Sequence, residues 1–197
     1  KNVAIYIDSQ NDLDFITLQE ATNNHKIIEK SNTLTKMKYV HIKQGNEELL
    51  TFWNDSKFHL YKINTKYGDI TPNRPYLITF FKNRKTKEQF CIVNAHFGHH
   101  SRDTFLKLLA SLVKKVITKI NRIIIVGDFN IQISHQPTID VCGKTFYTSN
   151  RIDHTCCGEK LRVQFDNAID TKDKLEQTVI DYKLYASDHI PIIYNFK

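Results

Sequence analysis

Hydrophobic and polar positions recur along this chain with the periods of both strands and helices. Four β-branched residues stand together at Ile123 to Val126, which is typical of a strand buried on both faces. The clearest helical period covers Ser101 to Asn121, where apolar residues recur every three or four positions. Shorter stretches predict further strands, at 14–20, 38–43, 49–53, 58–63, 76–82, 89–95, 151–155, 161–169, 178–185 and 192–196.

The connections between these elements give further predictions. Strands 76–82 and 89–95 flank a short basic turn and predict a hairpin, and 49–53 and 58–63 predict a second pair. Residues 69–75 and 131–150 are predicted as loops, while 1–12 and 21–32 have helical patterns. One long helix between two groups of strands predicts an α/β fold, in which two packed sheets carry helices on the outside.

Length and charge restrict the possible functions. The 197 residues are 41% hydrophobic and 25% charged, which suits one domain with a sizeable core and no membrane-spanning segment. The formal net charge of +7 favours polyanions such as nucleic acid, lipid headgroups or phosphorylated small molecules, although it could serve solubility alone. The basic turn 82–87 could contact a nucleic-acid backbone or could simply be solvated. The four cysteines have no zinc-like spacing.

Polar clusters end or begin several predicted strands. Asp128 and Asn130 follow the apolar run, and side chains two positions apart on a strand share a face. The other clusters contain Glu20, Asn94 with His96, Asp153, and Asp188 with His189. Convergent carboxylates and amides suit a hard divalent cation, and histidine beside them suits proton transfer. Each cluster also has a structural interpretation, namely an Asp/Asn-rich turn after the apolar run, a helix cap, surface histidines or a chance metal cluster that includes His99 and His100, a surface ion pair, or a polar corner.

Five motifs together resemble the signature set of the endonuclease/exonuclease/phosphatase superfamily, which includes deoxyribonucleases, apurinic endonucleases and tyrosyl-DNA phosphodiesterases. In chain order they are Leu18-Gln19-Glu20, Asn94-Ala95-His96, Gly127-Asp128-Phe129-Asn130, Arg151-Ile152-Asp153 and Ser187-Asp188-His189-Ile190-Pro191. The resemblance implies a four-layer α/β sandwich of two packed mixed sheets with helices outside. It implies one domain over residues 1–197, which begins within a helix and lacks the first strand of the family.

The resemblance also assigns catalytic roles. Asp128 would orient or deprotonate the attacking water, and Asn130 would hold the scissile phosphate. His96 would stabilise the charge of the transition state on a phosphate oxygen. His189 would act on the phosphate or the water. Neighbouring residues on a strand face opposite ways, so His189 needs a carboxylate from another strand, and Asp153 is the candidate.

A metal and a substrate complete the expected site. Glu20 would ligate Mg²⁺ or Mn²⁺ with Asp188 beside it, while Arg74, Asn94 and Asn130 would bind substrate. We expect metal-dependent hydrolysis of phosphodiester bonds in nucleic acid by a monomer. Two alternatives stay open. One is hydrolysis of inositol phosphates or lipid headgroups, and the other is an inactive binding protein, because the family's first strand carries a metal-shell asparagine that is absent here.

Overall fold

The structure is a computed structural model that describes residues 2–116, 120–133, 136–149, 156, 164–172, 176–179, 189 and 192–195. Its layers run from a helical layer through a small sheet and a large sheet to a third helix. None of the helices in these ranges is long and apolar enough to cross a membrane.

The small sheet has three antiparallel strands in the order β1-β3-β2. They are β1 (Phe15–Leu18), β2 (Lys38–Gln44) and β3 (Glu47–Trp53). Helices α1 (Asn2–Ser9) and α2 (Asn24–Glu29) pack on its outer face, through a cluster that includes Tyr6, Ile7 and Phe52. A 3-10 turn, Leu34–Lys36, leads into β2. The two predicted helices and the three predicted strands of this layer are therefore confirmed.

The large sheet has eight strands in the order β4-β6-β7-β8-β11-β10-β9, and β5 also pairs with β6. They are β4 (Phe58–Leu60), β5 (Lys66–Thr71), β6 (Arg74–Asn83), β7 (Gln89–His96), β8 (Arg122–Asp128), β9 (Thr138–Val141), β10 (Lys144–Thr148) and β11 (Asp166–Asp170). Strands β7 and β8 are parallel, and the chain between them forms helix α3 (Arg102–Lys114). Two further strands, β12 (Glu176–Val179) and β13 (Ile192–Asn195), pair with each other.

Strand β8 lies in the middle of the core, as its apolar run predicts. Ile123 and Ile125 face the side of the sheet covered by α3, where Leu109 is fully buried. Ile124 belongs to the cluster between the two sheets, together with Trp53. Burial on both faces explains why this strand needs apolar side chains at every position.

Three predictions about the connections are wrong. Strands β3 and β4 do not pair with each other, because β3 pairs with β1 and β2 while β4 pairs with β6. Residues 69–75 are not a loop, since β5 and β6 form a hairpin in which Pro72 lies in the turn and Pro75 is opposite Asp69. The segment 131–150 contains the hairpin β9–β10, whose tight turn places Cys142 and Gly143 at positive φ.

Two smaller differences concern the sheets and the long helix. The small sheet is antiparallel within the described residues, and only the large one is mixed. Helix α3 ends at Lys114, earlier than the apolar period suggests. Val116 and Ile120 lie beyond the end of the helix and are still buried. The apolar pattern therefore marks buried positions on both sides of the helix end.

Candidate active site at the carboxyl ends of β7 and β8

The polar clusters meet at one edge of the molecule. Strands β7 and β8 run parallel and end in register, with His96 opposite Asp128. Strand β11 runs the other way and begins at Asp166, which is also opposite Asp128. Glu47 at the start of β3 and Arg74 at the start of β6 reach the same place, since both contact His96. The structure therefore brings His96 and Asp128, two of the predicted strand-end residues, together at this edge.

Gly127 allows the two central strands to approach closely. Its φ is 141°, and a Cβ built on it would lie 2.0 Å from the carbonyl oxygen of Ala95 on β7. Any larger residue would separate β7 from β8 at this point. The glycine before Asp128 is thus required by the backbone that positions the carboxylate.

Asp128 and Asn130 form a closed turn. The backbone N–H and the amide of Asn130 donate to Asp128 over 2.8 and 3.1 Å, and the amide also donates to the carbonyl oxygen of Phe97 over 2.8 Å. Asn130 has φ of 50°, a left-handed conformation that asparagine tolerates better than most residues. Both amide hydrogens are directed at protein acceptors, so in this structure Asn130 orients Asp128, and binding a phosphate would require one of these bonds to open.

His96 is buried between a carboxylate and a guanidinium. Its Nδ1 lies 3.2 Å from Glu47 Oε2, and its Nε2 lies 2.9 Å from Arg74 Nη1. Burial, with the nearby charge of Arg74, lowers the pKa of His96 from 6.5 to about 4. The contacts fit a neutral ring that donates from Nδ1 and accepts at Nε2. The positive charge in this part of the site is therefore that of Arg74 rather than that of His96, which revises the role expected for His96.

His189 has a carboxylate partner on another strand, as expected, and that partner is Asp166. His189 Nδ1 lies 2.8 Å from Asp166 Oδ2, and its Nε2 lies 3.9 Å from Asp128 Oδ2. A backbone bridge to Cys156 holds His189 in place. Asp153, the partner favoured from sequence, is outside the described residues. Asp166 lies inside the predicted strand 161–169, so a search for acids at the ends of strands did not select it.

Several carboxylates gather at the site, namely those of Glu20, Glu47, Asp128 and Asp166. Burial raises the pKa of Asp128 from 3.8 to about 6, and the negative charges of Asp166 and Glu20 add to that rise. Burial also raises the pKa of Glu47, against the opposing charge of Arg74. Glu20 has φ of 52°, which is strained for glutamate, and its exposed side chain places Oε1 3.9 Å from His96 Nε2.

These residues fit a divalent cation. Glu20, Glu47 and His96 offer ligand atoms that lie within 4.8 Å of one another. Oxygen donors of this kind suit Mg²⁺ or Mn²⁺, and a cation would offset the negative charges that add to the effect of burial on the pKa of Asp128. Glu47 was missed from the sequence, where nothing separates it from its neighbour Glu48. Asp188, the second expected ligand, is outside the described residues.

Asn94 differs from the other expected substrate-binding residues because it is fully buried. Its amide donates to the carbonyl oxygens of Leu18 and Leu50 over 3.2 and 2.9 Å, and its oxygen accepts from Gln19 over 2.7 Å. Asn94 therefore ties β7 to β1 and β3 behind the site, and we assign it a positioning role instead of a contact with substrate.

The basic turn after β6 lies at the wrong end of the sheet for the site. It joins the last residue of β6, Asn83, to the first of β7, whereas Arg74 and His96 stand at the opposite ends of these strands. Strand β7 has eight residues and His96 is the last of them, so the turn lies about 23 Å along the strand from His96. A substrate bound at the site can contact this turn only if the substrate is long enough to extend along β7.

Sequence comparisons give one relative and no family. No family model matches the sequence. The chain is 34% identical to uncharacterized protein L684 of Acanthamoeba polyphaga mimivirus over 217 residues, which cover 98% of this chain and 42% of that protein. The chain thus spans about two fifths of the curated relative that it matches.

Several solved structures share the fold. An endonuclease/exonuclease/phosphatase from Bacteroides vulgatus matches with a TM-score of 0.75 and 15% identity, over 98% of this chain and 87% of that one. The mannosyl-6-phosphatase Bt3783 of Bacteroides thetaiotaomicron matches at 0.69 with 14% identity, over 99% and 90%. TDP2 of D. rerio, complexed with a single-strand DNA product, matches at 0.66 with 14% identity, over 96% and 86%.

The protein therefore has the fold of the endonuclease/exonuclease/phosphatase superfamily, as its motifs indicated. Structural matches at identities near 15% establish the fold alone, and the activity of the site has to be argued from its residues.

Proposed function

We propose that this chain is a metal-dependent hydrolase of phosphodiester bonds in nucleic acid. The observation that carries the proposal is the arrangement around Asp128, which has the Asp166–His189 pair on one side and the Arg74–His96–Glu47 cluster on the other. Displacement at phosphorus needs an activated water and stabilisation of the charge on the phosphoryl oxygens. Residues suited to both tasks stand within one edge of the fold.

Asp128 suits the task of accepting a proton from water. Its pKa of about 6 keeps it ionised at neutral pH while making it a stronger base than an ordinary aspartate. Hydrogen bonds from Asn130 fix its direction. Asp166 holds the ring of His189 from Nδ1, so that Nε2 lies 3.9 Å from Asp128 Oδ2 and 3.3 Å from Cys156 Sγ.

Arg74 suits the binding of the phosphate. Its Nη1 is anchored by Glu47 over 3.2 Å, and its side chain remains partly exposed at the site. Glu20 and Glu47 would hold the divalent cation, with Asp188 as a further candidate. When bound, such a cation supplies positive charge to a phosphoryl oxygen and lowers the pKa of water.

Nucleic acid is the substrate class that the charge favours. The net charge of +7 attracts a polyanion, and one structural neighbour was solved with a single-strand DNA product. Another neighbour, a mannosyl-6-phosphatase, supports a second candidate, which is hydrolysis of a small phosphomonoester. The proposals concern this chain, which matches only part of its viral relative.

A cleavage assay separates these candidates. The chain is incubated with labelled single- and double-stranded DNA, RNA, inositol phosphates and mannose 6-phosphate, in Mg²⁺, Mn²⁺ or excess EDTA. We expect cleavage of nucleic acid that requires the metal. It should be lost in Glu20→Gln and kept in Glu29→Gln, a matched exposed glutamate on α2. Full activity in EDTA, or turnover of the phosphomonoesters alone, contradicts the proposal.

A further inference from the structure

An aromatic contact at the rim of the site has no role in the chemistry above. The exposed ring of His99 lies against the half-buried ring of Phe165, with centroids 5.4 Å apart and planes inclined by 66°. His99 follows His96 by three residues, and Phe165 directly precedes Asp166. Each partner is thus attached to a strand end that carries a residue of the site.

The contact spans the end of the central strand. Strands β7 and β11 lie on opposite sides of β8, so their backbones are about 10 Å apart. Backbone bonds join the three strand ends, from Phe97 to Asp128 over 2.9 Å and from Phe129 to Phe165 over 2.8 Å. A side chain that follows β7 can reach one that precedes β11 only by crossing the end of β8, where Asp128 and Asn130 lie. The pair is therefore part of the wall beside the catalytic carboxylate.

The exposure of this pair distinguishes it from the core beneath it. Phe97, Phe105 and Phe129 contact one another nearby, and all three are essentially inaccessible to solvent. His99 is instead exposed. Arg102, which begins α3 three residues later, is also exposed. Exposed aromatic side chains, together with nearby basic residues, are the usual means of holding the bases of a single strand.

We propose that His99 and Phe165 form a stacking platform for a nucleobase adjacent to the scissile phosphate. This inference rests on the proposed hydrolysis of nucleic acid and makes it more specific, because it selects unpaired nucleotides as the substrate. A base on the platform would be held by its π face, so the platform accepts different bases with little sequence preference.

The test compares substrates with and without bases. KM and kcat are measured in Mg²⁺ for a single-stranded oligonucleotide and for an abasic oligomer with the same backbone. His99→Ala should raise KM for the oligonucleotide about 5- to 150-fold, which corresponds to the loss of one stacked base, with little change in kcat. His99→Phe should retain most of the affinity. With the abasic oligomer, wild type and His99→Ala should have the same KM.

His59→Ala is the matched control. His59 also contacts an aromatic ring, that of Tyr61, with centroids 5.3 Å apart, but it lies on β4 opposite Lys82 at the far end of β6. This variant should leave KM unchanged for both substrates. An effect equal to that of His99→Ala would mean that loss of any such histidine weakens the protein in general.

Binding measured without turnover distinguishes failure of the stacking platform from failure of the proposed hydrolysis of nucleic acid. The anisotropy of a labelled oligonucleotide is followed with Glu20→Gln and with Glu20→Gln/His99→Ala. If wild type cleaves the oligonucleotide and His99→Ala changes neither KM nor binding, the platform is refuted while the proposed function stands. An equal rise in KM on the abasic oligomer also refutes it. If wild type neither binds nor cleaves nucleic acid, the proposed function fails and the platform fails with it.

Discussion

His96 and Asp128 should make opposite contributions to the pH dependence of stability in the metal-free protein. The two groups are buried 3.5 Å apart, between Nε2 and Oδ2. Burial and Arg74 lower the pKa of His96 from 6.5 to about 4. Burial and Asp166 raise the pKa of Asp128 from 3.8 to about 6. In each case the native protein disfavours the charged form of the group.

The signs of the two contributions follow from proton binding. Between pH 4 and 6.5 the unfolded chain protonates His96 and the native protein does not, so the stability due to His96 rises with pH. Between pH 3.8 and 6 the native protein protonates Asp128 and the unfolded chain does not, so the stability due to Asp128 falls as pH rises. At about 1.4 kcal/mol per pKa unit, each contribution is about 3 kcal/mol and the two largely cancel.

Single substitutions should reveal the contribution that remains. The free energy of unfolding is measured by urea denaturation in EDTA from pH 4 to 7. Asp128→Asn should gain about 3 kcal/mol relative to wild type on going from pH 4 to 6.5, because only the His96 contribution is left. His96→Gln should lose about 3 kcal/mol relative to wild type between pH 4 and 6. His59→Gln should follow the wild-type profile. Profiles for Asp128→Asn and His96→Gln that run parallel to wild type would refute the reasoning.

Three further predictions concern the paired groups and the substrate. Asp166→Asn and His189→Ala should each lower kcat by about 10³- to 10⁴-fold, and the double variant should lower it little further, because the two residues act as one unit. Asp153→Asn is measured alongside, and a fall in kcat equal to that of Asp166→Asn would support the pairing favoured from sequence. KM for nucleic acid should rise steeply with salt while the single-turnover rate at saturation stays nearly constant, and a KM independent of salt would favour a small phosphoester. Asp170→Asn should reduce the free energy of unfolding by about 3–5 kcal/mol, because the fully buried Asp170 accepts a hydrogen bond from Arg122 over 2.6 Å. The double variant Arg122→Met/Asp170→Leu should recover much of that lost stability. Urea denaturation measures the free energy of unfolding of both variants.

The local pattern of residues was enough for the elements whose burial is uniform. The apolar run before Gly127 specifies a strand covered on both faces, and the structure covers it with α3 on one side and the small sheet on the other. The β6–β7 hairpin also follows from its two apolar stretches and the turn between them. Asp128 and Asn130 suit an ordinary turn as well as a site, so the prediction of a site depended on the polar residues at the other strand ends.

Partners distant in the chain were decided by the tertiary structure. Glu47 has no local signal, and it enters the site because β3 packs its first residue against His96 on the other sheet. Asp166 contacts His189 because β11 lies beside β8, an order of strands that no spacing in the sequence expresses. The same limit explains the error over β3 and β4, whose turn resembles a hairpin while each strand bonds elsewhere. Periodicity records which side of an element is buried, whereas the identity of the group facing a buried side chain depends on strand order and layer packing.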